Sequence, residues 1–166
     1  VPLGIKYQWQ SVYNPETSII NQIPTPKDFQ RVQTNNNSFQ QWLQYLPLFP
    51  PNQKVKTFDG SLKWNQRVHA RVIDIDIGKG DLQQCADAVI RLRSEYLYSS
   101  YQYDKIHFNY TSGFNAEYSA WRAGKKIKVS GNKVYYYSAP KANDKLHSGF
   151  KKYLINGEKY EKFYND

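Results

Sequence analysis

Methionine is absent from this 166-residue chain, and cysteine occurs once, as Cys85. No apolar run approaches the roughly 18 residues that a membrane-spanning helix requires. Each shortage excludes something. A single cysteine rules out an intramolecular disulfide and any zinc site built from cysteines alone. The chain opens Val1-Pro2-Leu3-Gly4, and translation starts on methionine, so the expectation is a processed or shortened chain, as removal of a signal peptide would leave. No phosphate loop, dinucleotide fingerprint or zinc-ligand set is present, so no cofactor and no metal are expected. Internal repeats and low-complexity blocks are also missing.

What the chain does contain is aromatic and basic. Aromatic residues make up 16%, mostly through 15 tyrosines, and the formal net charge is +9. Apolar residues at 40% and charged residues at 22% describe a globular chain rather than a disordered one. Tyrosine suits half-buried surfaces, where the ring packs and the hydroxyl stays wet. The positive balance favours an anionic partner, yet the lysines are dispersed, with the densest groups at Lys125-Lys126-Ile127-Lys128 and Lys151-Lys152. Solvated surface charge and a specific anion site are both open readings. Nucleic acid is not expected as a partner, because the aromatics recur at core spacings and no recognition motif accompanies them.

The pattern along the chain predicts an α+β fold, with helices packed on a mainly antiparallel sheet. Residues 1–34 are irregular and proline-rich and are expected to run extended over the surface, ahead of a single domain over 35–166. Ser38 caps a predicted helix whose Phe39, Trp42, Leu43 and Leu46 share one face. A strand is predicted over Val68–Ile77, with Ile73, Ile75 and Ile77 on one side and Asp74 and Asp76 on the other. A long helix is predicted from Leu82 to Tyr98, with Asp81 as N-cap and Gln84 at the third helical position. Lys105–Tyr110 reads as a strand that turns His107 and Asn109 away from Ile106, Phe108 and Tyr110. A short helix near Phe114–Arg122, a hairpin of Lys125–Val129 with Lys133–Ser138, and a last helix over Asp144–Leu154 complete the layout.

Cys85 is the one credible nucleophile. In the opening turn of a helix that follows a glycine turn, the dipole and the unpaired amides favour a thiolate. The competing reading makes it a core residue, since Cys85, Val89, Leu92 and Tyr96 form a continuous helical stripe. Of the three histidines, His107 is the best placed to act as base. His69 is expected at the far end of its strand, and His147 has no supporting context. Asp74 and Asp76 share a strand face and could bind a hard cation or a ligand, though no third ligand accompanies them. Asn109 is a further candidate binding residue beside His107; its Asn109-Tyr110-Thr111 context matches a glycosylation pattern, discounted because it lies in a predicted strand.

The stretch from Phe58 to Gly113 carries a resemblance. Phe58-Asp59-Gly60-Ser61-Leu62-Lys63, His69-Ala70, Ile73-Asp74-Ile75-Asp76 and above all Asp81-Leu82-Gln83-Gln84-Cys85-Ala86-Asp87-Ala88 resemble an uncharacterised bacterial family, the domain of unknown function 4846. Arg91-Leu92-Arg93, Ile106-His107-Phe108-Asn109 and Thr111-Ser112-Gly113-Phe114 extend the match. The resemblance implies an exported protein, periplasmic or lipid-anchored at the outer membrane, in bacteria of the Bacteroides type. It also implies a distant similarity to papain-like cell-wall cysteine peptidases. Family members continue into a Gly-His-Ala strand that looks like the histidine-bearing part of such enzymes, and Ile155–Asp166 departs from that pattern. The expected function is therefore a papain-like thiol hydrolase domain acting on an amide or peptide of the cell envelope, incomplete and inactive if its base lies in that missing part. The alternative is a non-catalytic envelope domain that binds an anionic glycan or a protein partner. Either way the expected partner is an envelope polymer or peptide, with no membrane span.

Overall fold

The computed structural model describes residues 4–78, 80–81, 85–139 and 145–162, with side chains described up to residue 155 of the last helix. The chain divides into two compact units, Val1–Asp81 and Leu82–Asp166. Five α-helices and two small antiparallel sheets lie among the described residues, which makes the fold mixed α+β as expected.

The first unit is held by aromatic rings more than by regular structure. A 3-10 turn at Pro15–Thr17 leads into α1 (Ile19–Gln22), and α2 (Phe39–Gln44) follows a long irregular stretch. Ser38 caps α2 as the sequence predicts, its hydroxyl accepting from the Gln41 amide at 3.2 Å. Trp42 and Leu46 are buried, and around Trp42 gather Tyr7, Trp9 and Phe39. Polar edges of these rings are spent on backbone carbonyls. Tyr7 donates to Trp42 O at 2.8 Å, Trp42 Nε1 to Lys6 O at 3.2 Å, and Trp9 Nε1 to Asp74 O at 2.6 Å. Such bonds satisfy buried donors while anchoring irregular backbone that makes no ladder of its own.

The predicted strand over Val68–Ile77 does not form. Only an isolated bridge, Leu48 with Ile73, remains of it, flanked by Phe49 N to Val72 O at 2.9 Å and Asp74 N to Pro47 O at 2.8 Å. The physical reason is the partner. Pro47 and Pro50 bracket the opposing segment, and neither can donate to a ladder. A tight turn, with Ile75 N on Ile73 O at 3.0 Å, then bends the chain away, and Ile77 is 41% exposed instead of buried.

The second unit has the larger core. α3 (Ala86–Ser99), α4 (Tyr118–Arg122) and α5 (His147–Lys162) surround Tyr98, Ile106, Tyr118, Phe150, Tyr153 and Leu154. Tyr118 is wholly enclosed, between Phe150 and Tyr153 at ring separations of 5.4 and 5.1 Å. β1 (His107–Asn109) pairs antiparallel with β2 (Asn115–Glu117) and realises the predicted alternation, with Ile106 and Tyr110 buried and His107 and Asn109 exposed. The predicted hairpin is present as β3 (Lys125–Ser130) and β4 (Lys133–Ser138).

α3 departs from its predicted start. It begins at Ala86, with Cys85 as cap residue at φ 41°, while Leu82–Gln84 lie outside the described residues. Its buried residues include Arg91, Ser94, Glu95, Leu97 and Tyr98; along the Cys85–Val89–Leu92–Tyr96 stripe, Cys85 and Val89 are exposed, Val89 at 66%, while Leu92 is half-buried and Tyr96 packs against the core. α5 begins at His147 and runs on to Lys162; Asp144, its expected first residue, lies outside the described residues.

Candidate functional site

Cys85 stands at the head of α3 with its side chain exposed and making no cap hydrogen bond. Asp87 occupies the first turn and shares the positive end of the helix with it. Among the described residues no hydrogen bond joins the thiol to a histidine. His107 is exposed on β1, opposite Glu117 in the register, with no side-chain bond of its own. It directly follows Ile106, which shares the core cluster with Leu97 and Tyr98 near the far end of α3. Leu97 lies roughly 18 Å along the helix axis from Cys85 at 1.5 Å per residue.

The other candidates are equally dispersed. His69 belongs to the first unit, where its Nε2 lies 3.3 Å from Gln53 O. Asp74 contributes its backbone carbonyl to Trp9 and Gln10. Asp76 is exposed, as is Asn109 on the same side of β1 as His107. No three of the described His, Cys, Asp and Glu residues gather as metal ligands would.

The structure assembles two groups whose members the sequence did not bring together. The first is buried. Glu95 is fully enclosed in α3, accepting from Arg91 Nε at 2.8 Å and from His147 Nε2 at 2.9 Å. A carboxylate that orients an imidazole resembles half of a catalytic triad. Glu95, however, is ten residues from Cys85, about 15 Å along the helix, so His147 cannot serve that thiol. The Arg91–Glu95 spacing of four was a readable helix-pair signal, whereas its pairing with His147, 52 residues away, was not.

The second group is the outer face of the β3–β4 hairpin. In an antiparallel pair, residues directly opposite one another point to the same side. The register sets Lys126 against Tyr137, Lys128 against Tyr135 and Ser130 against Lys133, so three lysines and two tyrosines share one face. Tyr135 and Tyr137 are 42% and 43% exposed. The other face is the packed one. Tyr136 stacks edge-on to Phe114 with centroids 4.9 Å apart, donates to Asn115 O at 3.1 Å and accepts from the Glu117 amide at 2.7 Å. Burial pushes the Tyr136 hydroxyl above its ordinary pKa, with the Glu117 charge adding to it and the backbone bond opposing it. No aspartate or glutamate occurs between Arg122 and Ala139 to neutralise the lysines. The alternation Lys-Lys-Ile-Lys and Val-Tyr-Tyr-Tyr was the available signal for this face.

Comparison with known proteins adds a family and nothing closer. No curated protein and no solved structure matches the chain. No described helix is long and apolar enough to cross a membrane. A family model described as a domain of unknown function matches residues 19–161, so the chain belongs to the family named domain of unknown function 4846.

Proposed function

We propose that this chain is a non-catalytic binding domain of the bacterial cell envelope that holds an anionic glycan on the outer face of the β3–β4 hairpin. The observation that supports it is the one-sided register: Lys126, Lys128 and Lys133 alternate with Tyr135 and Tyr137, and no acidic side chain interrupts them. Lysine ammonium groups meet carboxylates or phosphates as point charges. The exposed phenol rings offer flat apolar faces with a hydrogen-bonding edge, which suits sugar rings better than a charged peptide surface. The envelope location is part of the proposal and comes from the family resemblance.

The test is calorimetric titration with polygalacturonate, an acidic polysaccharide, against neutral dextran. Binding to the acidic polymer alone is expected. Lys126→Glu with Lys128→Glu should weaken it about tenfold or more, as loss of two charge-assisted contacts would. Tyr135→Ser with Tyr137→Ser, which leaves every charge in place, should weaken it as well. Binding untouched by the tyrosine pair would reduce the face to general charge attraction. Tighter binding of an acidic peptide or a single-stranded oligonucleotide would replace the glycan.

A second reading draws on the exposed thiol. As a papain-like thiol hydrolase, the chain would use Cys85 to attack an amide carbonyl, with a histidine taking the thiol proton and returning it to the leaving amine. Among the described residues no histidine is hydrogen-bonded to Cys85, so the identity of that base is part of the proposal. Alkylation followed from about pH 5 to 9 tests it: a midpoint well below the free-thiol value of about 8.5 supports an activated thiolate, and an ordinary midpoint ends the hydrolase reading.

A further inference from the structure

A second surface in the first unit is independent of the hairpin. The segments Pro50–Lys54 and Gln66–Val72 enclose a pocket of about 170 Å³. Its walls are tied together by one amide. Gln66 Oε1 accepts from the Val55 amide at 2.9 Å, while Nε2 donates to Val55 O at 2.9 Å and to Lys63 O at 2.6 Å. Three hydrogen bonds from one side chain hold the segments in place.

The charges around this pocket have one sign. Lys54 and Arg71 line it, and no aspartate or glutamate does. Arg71 donates from Nη1 to Gln22 Oε1 at 3.1 Å and from Nη2 to Phe49 O at 3.0 Å. Both partners are neutral oxygens, and its buried Nε–H has no acceptor. A half-buried guanidinium without a carboxylate is unusual, because removing a charge from water is costly unless an opposite charge meets it. His69 stands beside it. Its Nε2 faces the Gln53 carbonyl, which can only accept, so that nitrogen carries hydrogen; the buried Nδ1 has no partner and becomes a second donor only when the ring takes up a proton, which a bound anion would favour.

We infer that this pocket is a binding site for a small oxyanion, a carboxylate or a phosphate group, held by Arg71 and Lys54 beside His69. A cleft lined by one sign of charge concentrates counter-ions. Water takes up roughly 30 Å³ per molecule, so the space admits a group of several non-hydrogen atoms. A guanidinium fixed at two of its nitrogens is oriented before the anion arrives, which lowers the entropy lost on binding.

The experiment is an NMR titration of the whole chain with inorganic phosphate and, separately, with succinate. Saturable shifts are expected in the amides of residues 50–72 and in the His69 ring, and the tighter of the two ligands identifies the anion class. Lys54 is exposed, so Lys54→Ala should keep the fold and weaken binding severalfold. Arg71→Gln should abolish saturation, and its aromatic spectrum reports whether the unit remains folded. The Lys126→Glu, Lys128→Glu chain should bind as the parent does, which separates this site from the hairpin face. Linear, unsaturable shifts, or saturation unchanged in Lys54→Ala and in His69→Gln, would overturn the site.

Discussion

Glu95 is the residue on which the second unit is most exposed to damage by substitution. Its carboxylate has no contact with water and depends on Arg91 and His147 for compensation. Removing one member of a buried charged group leaves the others unpaired, so Glu95→Ala is expected to cost about 3–5 kcal/mol. Urea unfolding with an unchanged slope measures that loss, and a cost under about 1 kcal/mol would mean that water reaches Arg91 after all. Cys85 makes the opposite case. It is exposed, so iodoacetamide should label the native chain about as fast as the unfolded one, and labelling only after denaturation would return the thiol to the core.

At the scale of elements, what matters is which face each one presents. The β3–β4 hairpin is anchored from one side, and Tyr136 supplies both hydrogen bonds to β2. Tyr136→Phe keeps the ring on Phe114 and removes those bonds, and a loss of about 1–2 kcal/mol in denaturant unfolding is expected. The hairpin itself was legible in the sequence, because Ser130-Gly131-Asn132 separates two alternating runs and Gly131 takes the required positive φ. The strand over Val68–Ile77 was misread for a reason that no local pattern carries. Alternation says what a strand would bury, but prolines in a segment twenty residues away decide whether a ladder exists. The stripe on α3 failed at its Cys85 end in a related way. Cys85, Val89, Leu92 and Tyr96 have helical spacing, yet the core lies on the side of Glu95 and Tyr98. Of the candidate site, the alternation of His107 and Asn109 was readable, and so was the helix after Cys85. The hairpin's lysine-tyrosine face needed the register.

Taken as a whole, the chain uses phenols as core material in both units, and this predicts its response to alkali. Burial raises Tyr7 and Tyr153 well above the ordinary tyrosine value and Tyr13 to about 12. A group whose folded pKa is raised contributes stability that is complete below the unfolded value, about 10, and is lost as pH rises through the folded one. The melting temperature should therefore hold up to about pH 10 and fall between there and about 12, with tyrosinate absorbance appearing as the chain unfolds. Absorbance that rises fully while the fold persists would show that these hydroxyls are open to solvent.

The sequence alone determined the α+β class, the Ser38 cap, the hairpin, the alternation of β1 and the family, because each depends on residues near one another or on a linear match. Tertiary structure decided that Glu95 meets His147, that Cys85 faces outward, that Ile73 makes one bridge instead of a strand, and that Arg71 and His69 share a pocket. Those outcomes depend on which distant segment arrives opposite each residue, and burial and charge compensation exist only once that partner is in place.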